Sequence, residues 1–398
     1  MVNELFVSGA SEAPPAVIDL FCGCGGFSSG LLDAGLAVRA GFDQDRHCLE
    51  AYNYNHNYRG ATSFRVDLSR VSGVELLEIA TLQSVDLVVG GPPCQAFSIA
   101  GHRRGLADRR GLLLFDFERL VGELAPSAFI LENVPNLQNV ENGFVLARLL
   151  TGLRALGYQV ECAVLAASDY GVPQLRKRLF IVGLRGGTLR RFPPTPTHAD
   201  PAQLFARAGL VAPYRTVSDA LDDLPDVTTL QAQQIFNHEP TFHSEGMLAA
   251  FARLAPGERC PRSFQDRLHP HRPGYTLRAG HGNFTPLRPV HHRYDRVISV
   301  RESARLQGFA DTFIWPDTIA RLQQYRQVGN AVCPPVAASL GRWVGGAMGW
   351  KLDPGRFIGE PGYRAPALTH SFEQRQAAQC RRIRGASRGG AQVSLDKP

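Results

Sequence analysis

The chain has 398 residues, 44% of them hydrophobic and 20% charged, the balance of an ordinary globular protein able to bury one large core and a smaller one. No stretch approaches ~20 uninterrupted apolar residues and the N-terminus has no basic segment leading into an apolar one, so neither a membrane span nor a secretory leader is expected. Net charge is +7, but residues 351–398 hold nine Lys/Arg against four Asp/Glu, so most of the excess sits in a Gly-, Pro- and Ser-rich tail and says little about the rest.

Residues 16–31, AVIDLFCGCGGFSSGL, predict a strand from Ala16 to Phe21, a glycine-rich turn, and a helix opening near Phe27 and reaching Leu36. Such a turn feeding a helix N-terminus is the usual cradle for a nucleotide-like cofactor; no phosphate-binding lysine follows, so a nucleoside without a phosphate chain fits better. Val38–Phe42 predicts a second strand ending at Asp43, where an acid can accept hydrogen bonds from ribose hydroxyls. A third strand closes at Asp67. Val85–Val89 predicts a fourth, stopped by Gly90-Gly91-Pro92-Pro93, with Cys94 immediately after. A thiol held off the carboxyl end of a strand lies where open α/β sheets place their ligands, although alone it reads equally well as a buried cysteine beside a turn.

Ala128–Leu131 predicts a fifth strand leading into Glu132-Asn133-Val134, and Gln159–Leu165 with Leu179–Leu184 a hairpin around DYGVPQLRKR. Strands alternating with helical runs indicate a doubly wound sheet. Beyond Leu184 the alternation stops, and residues 190–295 carry eight of the twelve histidines. Between Arg253 and Arg293 eight arginines meet two acids, Glu258 and Asp266, which reads as a phosphate-facing surface. Helical patterning returns over Val297–Phe309 and Gln324–Ala347. The expected organisation is a catalytic and cofactor-binding domain over 1–187, an inserted domain over 188–295, helices over 296–350 returning to the first domain, and a basic, partly disordered tail over 351–398. Eight scattered cysteines suggest reduced thiols in a cytoplasmic protein, and Cys22 and Cys24 lack the downstream pair that a zinc site needs.

Taken together, DLFCGCGG, GPPCQAFS, ENV at 132–134, QLRKR at 174–178, RESARLQGF at 301–309 and GNAV at 329–332 closely resemble, in content and order, the motifs of the DNA (cytosine-5)-methyltransferases of bacterial restriction–modification type. The resemblance covers roughly residues 16–187 and 296–345. It implies a doubly wound, Rossmann-like S-adenosylmethionine-dependent methyltransferase domain with an inserted, mostly irregular or β target-recognition domain. It also implies a double-stranded DNA substrate and association with the nucleoid through DNA; a separately acting cognate restriction endonuclease is compatible with the sequence without being specified by it, and the attached recognition domain is compatible with a monomer.

The chemistry asks for the same residue types. Carbon 5 of cytosine is a poor nucleophile, and thiolate addition to C6 raises its electron density; Cys94 is the candidate thiol. Glu132 matches the family's acid beside N3 and N4, a role that requires a carboxyl raised toward neutrality by burial. Arg178 matches the arginine expected to hold the cytosine O2, with Arg176 as its alternative. No residue stands out as the base that removes the C5 proton. By the same resemblance Phe21 lies against the adenine or its ribose, Gly23, Gly25 and Gly26 admit the methionine half, Asp43 takes the ribose hydroxyls and Asp67 the adenine amino group. Gly91 and Pro93 border the cofactor and Asn330 closes its pocket. Gln44 stands where many relatives carry an aromatic residue, which leaves stacking from that side open.

Residues 95–111 read as a mobile basic loop, with Gln95 and Ser98 beside the nucleophile and Arg103, Arg104 and Arg110 available to DNA. Its expected role is to fold over the duplex and trap an extruded cytosine. Arg272, Arg278 and Arg288 flank Thr276-Leu277, a pair similar to the short recognition core of relatives, and are expected to contact bases or phosphates. Three rival readings are a tRNA cytosine-5 methyltransferase on the same scaffold, a catalytically idle DNA-binding regulator, and a nucleotide-dependent oxidoreductase. Methyl transfer to duplex DNA against tRNA, covalent trapping on 5-fluorocytosine DNA, and cofactor binding discriminate them in turn.

Overall fold

Short apolar runs build a seven-stranded sheet. Strands β1 (Ala16–Leu20), β2 (Ala37–Asp43), β3 (Thr62–Arg65), β4 (Leu87–Gly90) and β5 (Ala128–Asn133) run parallel. The hairpin of β6 (Gln159–Ala166) and β7 (Lys177–Leu184) completes the order β3-β2-β1-β4-β5-β7-β6, with β7 antiparallel to both neighbours. The computed structural model describes residues 14–93, 109–186, 191–202, 211–261, 264–282 and 289–355. Cys94, Gln95, Ser98, Arg103, Arg104 and Arg288 lie outside the described residues, as do most of the predicted loop and the tail from residue 356; Arg110 is described only in its backbone.

Alternation along the central strands sends successive side chains to opposite faces. Val17, Val89 and Ile130 pack with α1 (Gly26–Asp33), α2 (Arg46–His56) and α10 (Pro334–Met348), whereas Ile18, Val88 and Phe129 pack with α3 (Gly73–Ala80), α4 (Arg109–Leu124) and α5 (Phe144–Ala155). Strands covered on both faces are expected to be apolar throughout, and Leu87 to Val89 and Ala128 to Leu131 are fully buried. The doubly wound α/β architecture read from the sequence is the observed one. In α4, Leu114, Phe117 and Val121 recur at helical spacing on the buried face. Helix α2 is capped by Asp45, whose side chain accepts from the His47 amide at 2.9 Å.

Three boundaries differ from the reading above. Strand β5 continues through Glu132 and Asn133, which pair with Phe180 and Leu179 of β7, so the hairpin supplies a partner that the local sequence does not show. Residues 109–111 open helix α4 rather than ending a loop. The run read as one helix over 324–347 is two, α9 (Arg321–Asn330) and α10, because Pro334-Pro335 cannot donate into a continuing helix and hold the preceding residues extended. The link between them, Ala331–Cys333, reaches the site described below.

Between the hairpin and the returning helices the chain is mostly irregular, with α6 (Val217–Leu221) and α7 (Glu245–Ala252) its two α-helices among the described residues. Val217, Leu221, Leu268 and Leu277 share one apolar cluster with Ile298, Leu306, Trp315 and Val328, so α8 (Val300–Gln307) and α9 close the core of this region. The ladder that the described residues of this region form is short, His198–Ala199 paired in parallel with Ala212–Pro213, so many backbone carbonyls need other donors. Buried arginines supply them: Arg267 donates to the carbonyls of His291 (3.0 Å) and Phe251 (2.6 Å), and Arg301 to those of Phe236 (3.1 Å) and Phe313 (2.9 Å). All described residues belong to one unit.

Candidate active site

The carboxyl ends of β1, β2, β4 and β5 open into one cavity of about 380 Å³. It lies where the strand order reverses between β1 and β4, the position at which open α/β sheets bind ligands. Because β7 runs antiparallel to β5, the start of β7 arrives at this same edge and brings Arg178 with it.

One end of the cavity is the turn after β1. Phe21 adopts a left-handed backbone (φ 57°) and Gly25 follows with φ 92°. A Cβ on Gly25 would stand 2.4 Å from the His56 ring, and one on Gly26 would stand 2.4 Å from the Val332 carbonyl oxygen. No side chain fits at either position, since α2 presses on one flank and the α9–α10 link on the other. Asp43 holds the turn in place: its carboxylate accepts from the Gly23 amide at 3.0 Å and the Asp45 amide at 2.9 Å. Burial pushes the Asp43 carboxyl above its ordinary range while those amides pull it down. Asp43 therefore supports the backbone cradle as well as lining the cavity, a second duty its position in the sequence does not announce.

Gly23, Gly26, Gln44, Asp67, Gly91, Pro93 and Asn330 all line the same cavity. Gly25 stands behind it, against α2. Asp67 sits two residues beyond β3, its Oδ1 accepting from the Ser69 amide (3.1 Å) and hydroxyl (2.7 Å). Asn330 is the last residue of α9, exposed on the rim. At the other end, Glu132 is 8% exposed and its Oε1 lies 2.8 Å from Arg178 Nε. The pair has ionic contact without the angle of a hydrogen bond, so Glu132 Oε1 has no hydrogen-bond donor among the described residues. Arg176 behaves differently: 2% exposed, it donates from Nη1 to the Leu277 carbonyl at 3.0 Å. Of the two arginines, Arg178 faces the acid and Arg176 ties the irregular region to the sheet.

The cavity also gathers residues not picked from the sequence. Asp19, 1% exposed, accepts from Ser28 Oγ at 2.6 Å, and burial pushes its carboxyl up to about 7. Arg326 and Gln327 line the wall just before GNAV, on the helical face that also carries Gln323 and Asn330. The i, i+3, i+4, i+7 spacing of Gln323, Arg326, Gln327 and Asn330 was the available signal. Four described thiols line or border the site. Burial raises Cys22 and Cys48 well above the ordinary thiol value, Cys24 to about 12 and Cys333 to about 11. None of them is disposed to ionise and act as a nucleophile.

Of the described arginines in the stretch 253–293, Arg253, Arg259, Arg272, Arg278 and Arg293 are exposed and Arg267 is buried. Arg267 is buried on carbonyls and Asp295, Arg259 pairs with Asp266, and Arg293 pairs with Asp222. Arg267 thus holds an irregular backbone together, whereas Arg259 and Arg293 form ion pairs at the surface. Arg272 and Arg278 are exposed, and Leu277 between them is fully buried.

A glycine cradle at the switch point of a doubly wound sheet, with an acid after β2 and a buried carboxylate paired with a half-buried guanidinium opposite, defines a Rossmann-like domain with a ligand cavity at its strand ends. Residues 16–345 match the family of C-5 cytosine-specific DNA methylases. The chain belongs to this family and is a DNA cytosine-5 methyltransferase of bacterial restriction–modification type. It is 33% identical over 342 residues to the type II methyltransferase M1.HphI of Haemophilus parahaemolyticus, covering 82% of this chain and 86% of that protein. It is 32% identical over 375 residues to M.XorII of Xanthomonas oryzae pv. oryzae, covering 82% and 84%. Among solved structures, one described as a DNA modification methyltransferase encoded within an E. coli prophage aligns with TM-score 0.70 and 27% identity over 84% of this chain and 99% of that one. The S. pombe Dnmt2 methyltransferase, at 18% identity and TM-score 0.62 over 84% and 100%, shares the fold.

Proposed function

We propose that the cavity holds S-adenosylmethionine, and that Cys94 adds to C6 of a cytosine swung out of duplex DNA so that C5 accepts the methyl group. The observation that carries this reading is the meeting of Glu132 and Arg178 at 2.8 Å in a cavity whose opposite end is the glycine cradle. The residues fit the cofactor: Gly26 leaves backbone where a Cβ would collide, Asp43 and Asp67 offer acceptors for ribose and adenine, and Phe21, Gly91, Pro93 and Asn330 surround the space. When bound, the cofactor supplies an electrophilic methyl group.

The remaining work falls to this chain. Arg178 orients the ring through O2 and holds Glu132 in place. The carboxyl group of Glu132, whose Oε1 has no hydrogen-bond donor among the described residues, shares a proton with N3 as charge builds on the ring. The Cys94 sulfur leaves again when the C5 proton is removed. Residues 188–295 form the target-recognition domain, with Arg272, Arg278 and Arg288 toward DNA, and residues 296–350 complete the catalytic domain. Gln95, Ser98, Arg103 and Arg104 belong to the segment that closes over the flipped base, and Arg110 lies in the first turn of α4, which follows it. The enzyme acts as a monomer in the cytoplasm, at the nucleoid, beside a separate cognate endonuclease. Bisulfite sequencing of DNA from cells expressing the protein tests the reading: protected cytosines should fall in one short sequence context. Protection absent from DNA but present in tRNA would overturn it.

A further inference from the structure

Two motif glutamines have no part in the chemistry above, yet both are fully buried: Gln174, which opens QLRKR, and Gln307, near the end of RESARLQGF. Gln174 Oε1 accepts from the Leu277 amide at 3.0 Å, and its Nε2 donates to the Leu306 carbonyl at 3.0 Å and to Gln307 Oε1 at 2.8 Å. Gln307 Nε2 then donates to the Ala331 carbonyl at 2.6 Å. The orientation of each amide is dictated by its partners. An amide N–H must meet an acceptor and a carbonyl must meet a donor, so flipping either side chain would set oxygen against oxygen.

The groups joined in this way belong to parts with different ligands. Leu277 lies between the exposed Arg278 and Thr276, whose hydroxyl donates to the Leu175 carbonyl at 3.0 Å. Residues 173–175 and 274 exchange two further backbone hydrogen bonds, from Leu175 to Gly274 at 2.7 Å and from Gly274 to Pro173 at 2.9 Å. Ala331 is in the wall of the cofactor cavity beside Asn330. A second contact spans the same seam: a Cβ on Gly329 would stand 2.5 Å from the Arg278 carbonyl oxygen, so the recognition segment rests directly on α9 one residue before Asn330.

We infer that Gln174 and Gln307 form a positioning relay which makes the 274–278 segment, the start of β7 and the cofactor wall at 330–332 move as one piece. Engagement of the correct DNA sequence at Arg278 then tightens the cofactor site, and a bound cofactor tightens sequence reading, since coupling between two sites is reciprocal. The relay contacts neither substrate. It rests on the reading of the cavity as a cofactor site and of this segment as the DNA reader.

The test uses the full chain and two variants that each break one link. Gln174→Glu keeps the acceptor for Leu277 and loses the donors to Leu306 and Gln307; Gln307→Glu keeps the acceptor for Gln174 and loses the donor to Ala331. Duplex affinity is measured with and without S-adenosylhomocysteine, on the cognate sequence and on one altered by a base pair. The active fraction is fixed by covalent trapping on 5-fluorocytosine DNA. Wild type should bind cognate DNA more tightly with the cofactor product present. That gain, and the cognate preference in kcat/KM, should fall at least fivefold in each variant at unchanged active fraction. Should Gln174→Glu fail to fold, Gln307→Glu alone decides. Variants that only melt earlier while keeping coupling and preference overturn the relay, as does a wild type without coupling. A wild type that puts no methyl group on duplex cytosine overturns instead the activity on which the relay rests.

Discussion

Replacing Glu302 by glutamine removes one charge from the most enclosed ionic cluster of the described residues. Glu302 is 1% exposed, with Arg296 Nη2 at 2.8 Å from Oε1, Arg296 Nη1 at 2.9 Å from Oε2, and the Ser299 amide at 2.6 Å from Oε2 as part of the cap of α8. Burial alone would raise its carboxyl, but the Arg296 hydrogen bonds and charge, with His291 and His238 nearby, hold it at about 2 against an ordinary value of 4.5. At ~1.4 kcal/mol per pH unit that difference corresponds to about 3 kcal/mol of stability. This agrees with the ~3–5 kcal/mol typical of breaking a buried pair. A glutamine oxygen can still accept from Ser299, but its NH2 then faces the Arg296 guanidinium, donor against donor; Arg296 retains Asp226 at 3.1 Å. At ~2 °C per kcal/mol for a unit of this size, the variant should melt about 5 °C below wild type by calorimetry at pH 7. The depressed carboxyl contributes stability above pH 4.5 that is lost as pH falls toward 2. The gap between the two proteins should therefore narrow across that window. Equal melting temperatures at pH 7, or a gap that does not change between pH 5 and 3, would refute the reasoning.

Other expectations follow from the same geometry. Gly26→Ala sets a Cβ against the Val332 carbonyl, at an overpacking cost of ~1–3 kcal/mol, so S-adenosylmethionine affinity by titration calorimetry should drop about tenfold or more; wild-type affinity would show that the cradle does not need the close approach. Arg178→Ala should cost at least a hundredfold in turnover with little change in melting temperature, whereas Arg176→Ala should lower the melting temperature because it strips a donor from the buried Leu277 carbonyl; the reverse pattern would exchange their roles. His56 and His291 are held by burial near 3, so the folded state resists protons that the unfolded chain binds below about 6.5. Stability should be complete above that pH and decline as acid is added toward pH 3; a flat profile from pH 7 to 4 would contradict their burial as neutral rings.

The sheet was legible because its central strands are covered on both faces and so read as unbroken apolar runs, and the site because DLFCGCGG, ENV and QLRKR keep fixed places at strand ends. What could not be read depended on partners distant in the chain. Glu132 is a strand residue only because β7 pairs with it, and Asp43 supports the glycine turn only because β2 ends beside it. Arginines between 253 and 293 look alike in one dimension, and only the folded surroundings show that Arg267 turns inward to the carbonyls of Phe251 and His291 while Arg253, Arg259, Arg272, Arg278 and Arg293 stay exposed. Arg326 and Gln327 were passed over because the helix break that aims their face at the cavity is set by Pro334-Pro335, several residues later.

The most direct test of the account is mass spectrometry of nucleosides from plasmid DNA methylated by the purified enzyme, alongside a Cys94→Ser variant. Wild type should yield 5-methylcytosine and the variant none, with its cofactor affinity unchanged. Methyl groups on a ring or amino nitrogen, or 5-methylcytosine formed by the variant at the wild-type rate, would contradict the proposed carbon chemistry.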